Sequence, residues 1–362
     1  MATTTAPTER PGPVPEPIPS EPGIPLPPDS ISYRLKRRLL GAPLHSEELE
    51  HQRLGKPTAL AVFASDNLSS SAYATEEILH VLVPYFGLVA FTLVLPVTFA
   101  MLIVLGLLII SYRETIKEYP SAGGAYLVTR DNFGIVPAQV AGAALLIGYI
   151  LTVAVSVAAG SAAIASTITA LEPWRVPLSL FFIALIAYGN LRGVRESGKL
   201  FAAPTYFFMI NMGLLITWGV ASYLSGDLGQ LGTFQEGMVE EGHHAGLMTA
   251  ASAYVLAKAF ASGGSAVTGV EAISNGVPAF KKPEWVHARQ TLVIMGSGLA
   301  VMFLGLSFLA SKIHVIPFES GTPTVLAQIG EVVYGGGASG EFLSNMLNVA
   351  TMLILVLAAN TG

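Results

Sequence analysis

Asp66, Tyr73, Thr152, Ser156, Thr268 and Glu271 are oxygen-bearing residues embedded in the apolar parts of this sequence. Several oxygens are what a dehydrated monovalent cation needs: one carboxylate offsets its charge, while hydroxyls and carbonyls complete the shell. Asp66 and Tyr73 belong to the run Ser65-Asp66-Asn67-Leu68-Ser69-Ser70-Ser71-Ala72-Tyr73, which interrupts the first long apolar stretch, between 59–64 and 78–83. Thr268 and Glu271, spaced i and i+3, share a helical face, as do Thr152 and Ser156 at i and i+4. For the last pair the plainer reading is a hydroxyl bonding back to its own i−4 carbonyl.

These residues need elements that tolerate them at membrane depth. An ionised aspartate near the centre of a spanning helix costs about 2.5–3.5 kcal/mol, so Asp66 is expected to face the bundle interior with a partner, for which a cation would serve. Ser and Asn compete for backbone hydrogen bonds, which predicts that the first span unwinds over 66–72 and turns backbone at Ser69 and Ser70 toward a cavity. A second interruption, Ala261-Ser262-Gly263-Gly264-Ser265-Ala266-Val267-Thr268-Gly269-Val270-Glu271, predicts a break over 262–268 with the backbone of Gly263 and Gly264 close to a ligand. Glycines that only let helices pack closely would explain Gly263 and Gly264, but not two carboxylates in the membrane. Broken first and sixth spans, five apart, point to a secondary transporter with its substrate at the midplane between half-helices.

The chain is 52% hydrophobic and 12% charged, far from the roughly 25% charged residues of a soluble domain, so it is an all-α multispanning membrane protein. With no cysteine, disulfides and thiolate chemistry are excluded. Residues 1–30 hold ten of the twenty-three prolines and read as a disordered tail. Residues 31–57, with Arg34, Lys36, Arg37, Arg38, Arg53 and Lys56, read as a basic amphipathic segment at the cytoplasmic face. Residues 58–362 form the transport domain, with spans expected at 58–83 (broken), 88–111, 135–170, 177–191, 203–224, 247–277 (broken), 290–311 and 341–360.

Sixteen Lys and Arg fall on the N-terminal side of these spans, and only Arg175 and Lys312 on the other, which places the N-terminus in the cytoplasm and the acidic loop 225–246 outside. The apolar ending at Ala358-Ala359-Asn360-Thr361-Gly362 suggests a chain truncated after its eighth span.

Lys117-Glu118-Tyr119-Pro120-Ser121-Ala122-Gly123-Gly124-Ala125-Tyr126 resembles the cytoplasmic signature of the amino acid–polyamine–organocation (APC) superfamily. Within it, the stretches 64–77 and 268–278 are most similar to the KimA-type potassium importers. The resemblance implies a LeuT-like fold with discontinuous helices one and six, proton-coupled potassium uptake across the cytoplasmic membrane, and homodimerisation through a region beyond the residues present. It also implies potassium contacts at Asp66, Tyr73, Thr152, Ser156, Thr268 and Glu271, each of which matches the family pattern.

Other ionisable residues suggest coupling. Two carboxylates, Asp66 and Glu271, sharing one low-dielectric cavity cannot both stay charged without a cation or a proton. Glu76, Glu77 and His80 follow Tyr73 at helical spacing and could relay a proton, or simply line a solvated vestibule. Lys258 reads as a snorkelling surface lysine rather than a counter-charge. There is no nucleotide-binding loop, hydrolase elbow or metal-ligand cluster, so neither an enzyme, a cofactor nor a nucleic-acid partner is expected. The competing reading is an amino acid, polyamine or other organic-cation permease of the same fold. Asp66 disfavours a substrate carboxylate but would accept an organic cation.

Overall fold

The computed structural model describes residues 53–191, 197–231, 233–243, 246–247 and 249–360. The tail expected at 1–30 and most of the basic segment expected at 31–57 lie outside these residues. The described chain is nearly all helical, and the pairings outside helices are two isolated bridges, Leu54 with Phe280 and Met238 with Phe318.

The first span is α1 (Lys56–Ser69) followed by α2 (Ser71–Phe86). A turn at Gly87–Val89 leads to α3 (Ala90–Glu118) and the short α4 (Gly124–Phe133). Then come α5 (Ile135–Thr167), α6 (Arg175–Leu191) and α7 (Ser197–Ser225). The sixth span is α8 (Ala250–Gly263), a 3₁₀ turn (Gly264–Val267) and the one-turn α9 (Ala272–Asn275). It is followed by α10 (Glu284–Ile313), α11 (Val325–Tyr334) and α12 (Ala338–Ala358).

Six stretches among the described residues are long and apolar enough to cross a bilayer, and the protein is a multi-pass membrane protein. One of them, Lys56–Glu118, doubles back at Gly87–Val89 and so contains both α1–α2 and α3. The sixth span is absent from the six because its break leaves no helix long enough. At 33 residues α5 is about 50 Å long at 1.5 Å per residue, which confirms an element longer than the hydrocarbon core requires.

The fold places α1 at the centre. It packs against α7, α10 and α12, and Ala59, Ala61, Ala64 and all of Ser65–Ser69 are buried. Such polar burial is sustainable only because the small side chains bond to nearby backbone, as set out below. By contrast, α5 buries a stripe of small residues around Gly160–Ala163 against α12, and turns Leu146, Ile147 and Ile150 outward. That distribution suits a helix with one face in lipid.

The start of the first span is tied to the end of the sixth. Leu54 N–H donates to Ala279 O at 2.8 Å, Lys281 N–H donates to Leu54 O at 3.1 Å, Arg53 pairs with Glu284, and Phe63 stacks on Phe280 at 5.3 Å between ring centroids. This strap keeps the two interrupted spans in register, so the positions of their breaks are coupled.

Candidate functional site: a cavity where two interrupted spans meet

The interruption of the first span is confined to Ser70, whose dihedrals (φ −60°, ψ −26°) remain helical. Its N–H turns to Asn67 O at 3.3 Å, and the carbonyl of Asp66 receives hydroxyls instead: Ser69 Oγ at 2.7 Å and Ser70 Oγ at 3.4 Å. Ser65 and Ser71 likewise donate to Val62 O and Leu68 O. The unwinding expected over 66–72 is therefore corrected to a one-residue junction. Four serine hydroxyls take over part of the backbone bonding, so the helix changes its hydrogen-bond pattern without losing its path.

The interruption of the sixth span is larger and lies further along than the Gly263–Gly264 pair. Both of these glycines keep helical dihedrals, and Gly263 serves close packing: a Cβ there would stand 2.8 Å from Ile78 Cγ1. The reversal comes at Thr268, which is extended (φ −69°, ψ 157°), and Gly269, at φ +79°. An L side chain pays about 1–2 kcal/mol in that left-handed region, which glycine avoids.

The two breaks touch. Thr268 Oγ1 lies 3.1 Å from Ser70 Oγ, which is itself 3.1 Å from Tyr73 OH, and Asn67 Nδ2 donates to Thr268 O at 2.9 Å. Gly269 lies flat on Asp66: a Cβ there would be 2.8 Å from both Cγ and Oδ2 of the carboxyl and 2.9 Å from Asn67 N. Asp66 is only 3% exposed, so its carboxyl sits behind the break, covered by backbone that no side chain could replace.

Tyr73, Thr152, Thr268 and Glu271 line a cavity of about 580 Å³, together with Tyr149, Ser265 and apolar residues of α5. Among the described residues, the lining holds one carboxylate, several hydroxyls and no basic residue. Thus four of the six residues singled out from sequence share one cavity. Asp66 stands behind it against Gly269, and Ser156 is buried one turn beyond Thr152 without reaching the lining.

The residues offered for proton relay separate. Glu76 is buried and accepts Val325 N–H at 3.2 Å, capping the first turn of α11, with His80 Nε2 3.9 Å away. Glu77 is exposed and accepts from Ser262 Oγ at 3.3 Å. None of the three lines the cavity, and Lys258 is exposed on α8.

Four site residues were missed in the sequence, Ser265 of the cavity lining among them. Tyr149 lies one turn before Thr152 on the face already identified, so helical spacing was enough to find it. Asn67 adjoins Asp66 and ties the two breaks together. Gly269 sits inside the quoted motif but looks like any other of its glycines until its dihedrals are known.

A family model described as amino acid permease matches residues 54–362. The potassium transporter KimA of Bacillus subtilis (strain 168) is 41% identical over 333 residues, covering 91% of this chain and 52% of that protein. The chain therefore spans about half the length of the curated relative it matches.

Proposed function

The chain belongs to the amino acid permease family, within the APC superfamily, and on that premise we propose that it is the transport core of a secondary carrier that takes up potassium together with protons. The observation that carries this reading is the cavity at the meeting of the broken spans, where Glu271 faces the hydroxyls of Tyr73, Thr152 and Thr268, and Asp66 lies directly behind. A site of this composition attracts a cation and repels a substrate carboxylate. The relative named as a potassium transporter supports potassium as that cation.

Eight spans follow from the apolar runs, and the distribution of basic residues puts the N-terminus and α4 on the cytoplasmic side. Homodimerisation is part of the proposal for the full-length protein. Proton coupling rests on charge: a potassium ion and a proton together let a two-carboxylate site close with little net buried charge, and release of the proton restores the negative site. Glu271, which lines the cavity, is the leading coupling residue with Asp66. Glu76 and Glu77 are weaker candidates because each is engaged outside the cavity.

A second reading has an observation of its own. A cavity of about 580 Å³ falls in the range of small-molecule sites, about 300–1,000 Å³, and exceeds what one bare ion fills, so an organic cation such as a polyamine also suits it. Complementation separates the two. A bacterium without its own potassium uptake systems, given the full-length protein, is expected to grow at micromolar potassium, whereas rescue of a polyamine or amino acid auxotroph alone supports the alternative. In proteoliposomes with sodium absent and the membrane potential clamped, an inward proton gradient is expected to drive uptake by the wild type and not by Glu271→Gln. Uptake indifferent to the gradient in the wild type would refute coupling.

A further inference from the structure

A cavity lined by oxygens discriminates among alkali cations by the number of those oxygens and by the separation at which its walls are held. One wall here is α5, presenting Thr152, and the other is the broken sixth span, presenting Thr268 and Glu271. These walls are joined by a hydrogen bond from Asn275 Nδ2 to Tyr149 OH at 2.6 Å.

Both ends of that bond are rigidly connected to the ion-facing groups. Tyr149 precedes Thr152 by one turn of an unbroken helix and lines the same cavity. On the other side, Asn275 N–H donates to Glu271 O at 3.1 Å and Ser274 Oγ donates to the same carbonyl at 2.7 Å, so α9 carries Asn275 and Glu271 as one unit.

Asn275 is also buttressed from behind. A Cβ on Gly124, at the head of α4, would stand 2.6 Å from Asn275 Oδ1 and 2.8 Å from Ser274 Oγ, so the amide is wedged between Tyr149 and the Gly123–Gly124 turn. Its Oδ1 is buried and makes no hydrogen bond among the described residues, so its polar contact with α5 is the one made through Nδ2. Gly124 of the Lys117–Tyr126 stretch acquires a purpose here, since a Cβ at that position would press on the side chains of Asn275 and Ser274.

We propose that the Tyr149–Asn275 hydrogen bond is a strut that sets the width of the cavity and thereby its preference among monovalent cations. Tyr149 and Asn275 are then positioning residues, acting through the placement of Thr152 and Glu271. The inference rests on the cation reading above.

The test uses the full-length protein in proteoliposomes at clamped potential, following uptake of radiolabelled rubidium in competition with sodium, potassium and caesium. Tyr149→Phe keeps the ring and removes the hydroxyl; it is expected to shift the preference for caesium over potassium about fivefold. Asn275→Ala removes the other partner and should produce the same shift, and the double variant should go no further, because the two residues act through one bond. A wild-type order of competition in both single variants overturns the strut, as does a fall in rate without any change in order, or two shifts that add. If the wild type takes up no alkali cation at all, the cation reading itself has failed, and that result is read from the wild-type arm alone.

Discussion

The two interruptions that frame the cavity are built in opposite ways. At Ser70 the backbone stays helical and side chains change the bonding, with serine hydroxyls delivered to the carbonyls of Val62, Asp66 and Leu68. At Thr268–Gly269 the backbone itself turns, through an extended residue and a left-handed one. A break made by side chains has redundancy, because each hydroxyl covers one carbonyl and Asp66 O has two within reach. A break made by dihedrals has none, because everything beyond it depends on one glycine. The first span can therefore afford to carry the buried carboxylate, while the sixth supplies a backbone surface flat enough to lie against it.

This contrast can be broken by substitution. Gly269→Ala should have the largest effect: the left-handed conformation costs about 1–2 kcal/mol, and the new methyl would collide with Asp66 and Asn67. Lowered thermal stability in detergent and loss of uptake are expected together; wild-type behaviour in both would show that the sixth span does not turn here. Thr268→Val keeps the shape and removes the hydroxyl that meets Ser70, so the apparent KM for the cation should rise about five- to tenfold with the protein still folded.

Ser70→Ala should raise KM about two- to threefold, since Ser69 still serves the Asp66 carbonyl. An effect of Ser70→Ala as large as that of Gly269→Ala would erase the distinction between the two kinds of break. The smallest effect on transport should come from Gly263→Ala. Its methyl meets the side chain of Ile78, which costs about 1 kcal/mol of stability and leaves KM unchanged. Uptake kinetics and thermal unfolding of Gly263→Ala and Gly269→Ala, measured side by side, locate the working glycine.

The presence of both breaks was legible in the sequence because a carboxylate and hydroxyls, or clustered glycines, stand out in apolar spans. Their mechanics were not. Gly263, Gly264 and Gly269 are the same residue in the same kind of neighbourhood, and what separates them is a dihedral angle set by contact with Asp66, about 200 residues away in the chain. Glu76 teaches the same lesson: local spacing groups it with Glu77 and His80, whereas its carboxylate is claimed by Val325 of α11, a partner that no helical period can reveal. Tyr149, by contrast, shares the face of Thr152 at i−3 and was within reach of periodicity alone.

The proposed function depends on a negative charge, where the two breaks meet, that holds a cation. Uptake of radiolabelled rubidium by Asp66→Asn in proteoliposomes tests it most directly, because the substitution keeps the side chain's size under Gly269 and removes only the charge. The expected result is a folded, monodisperse protein whose thermal unfolding is close to that of the wild type and whose uptake is abolished. Wild-type uptake kinetics in Asp66→Asn would contradict it.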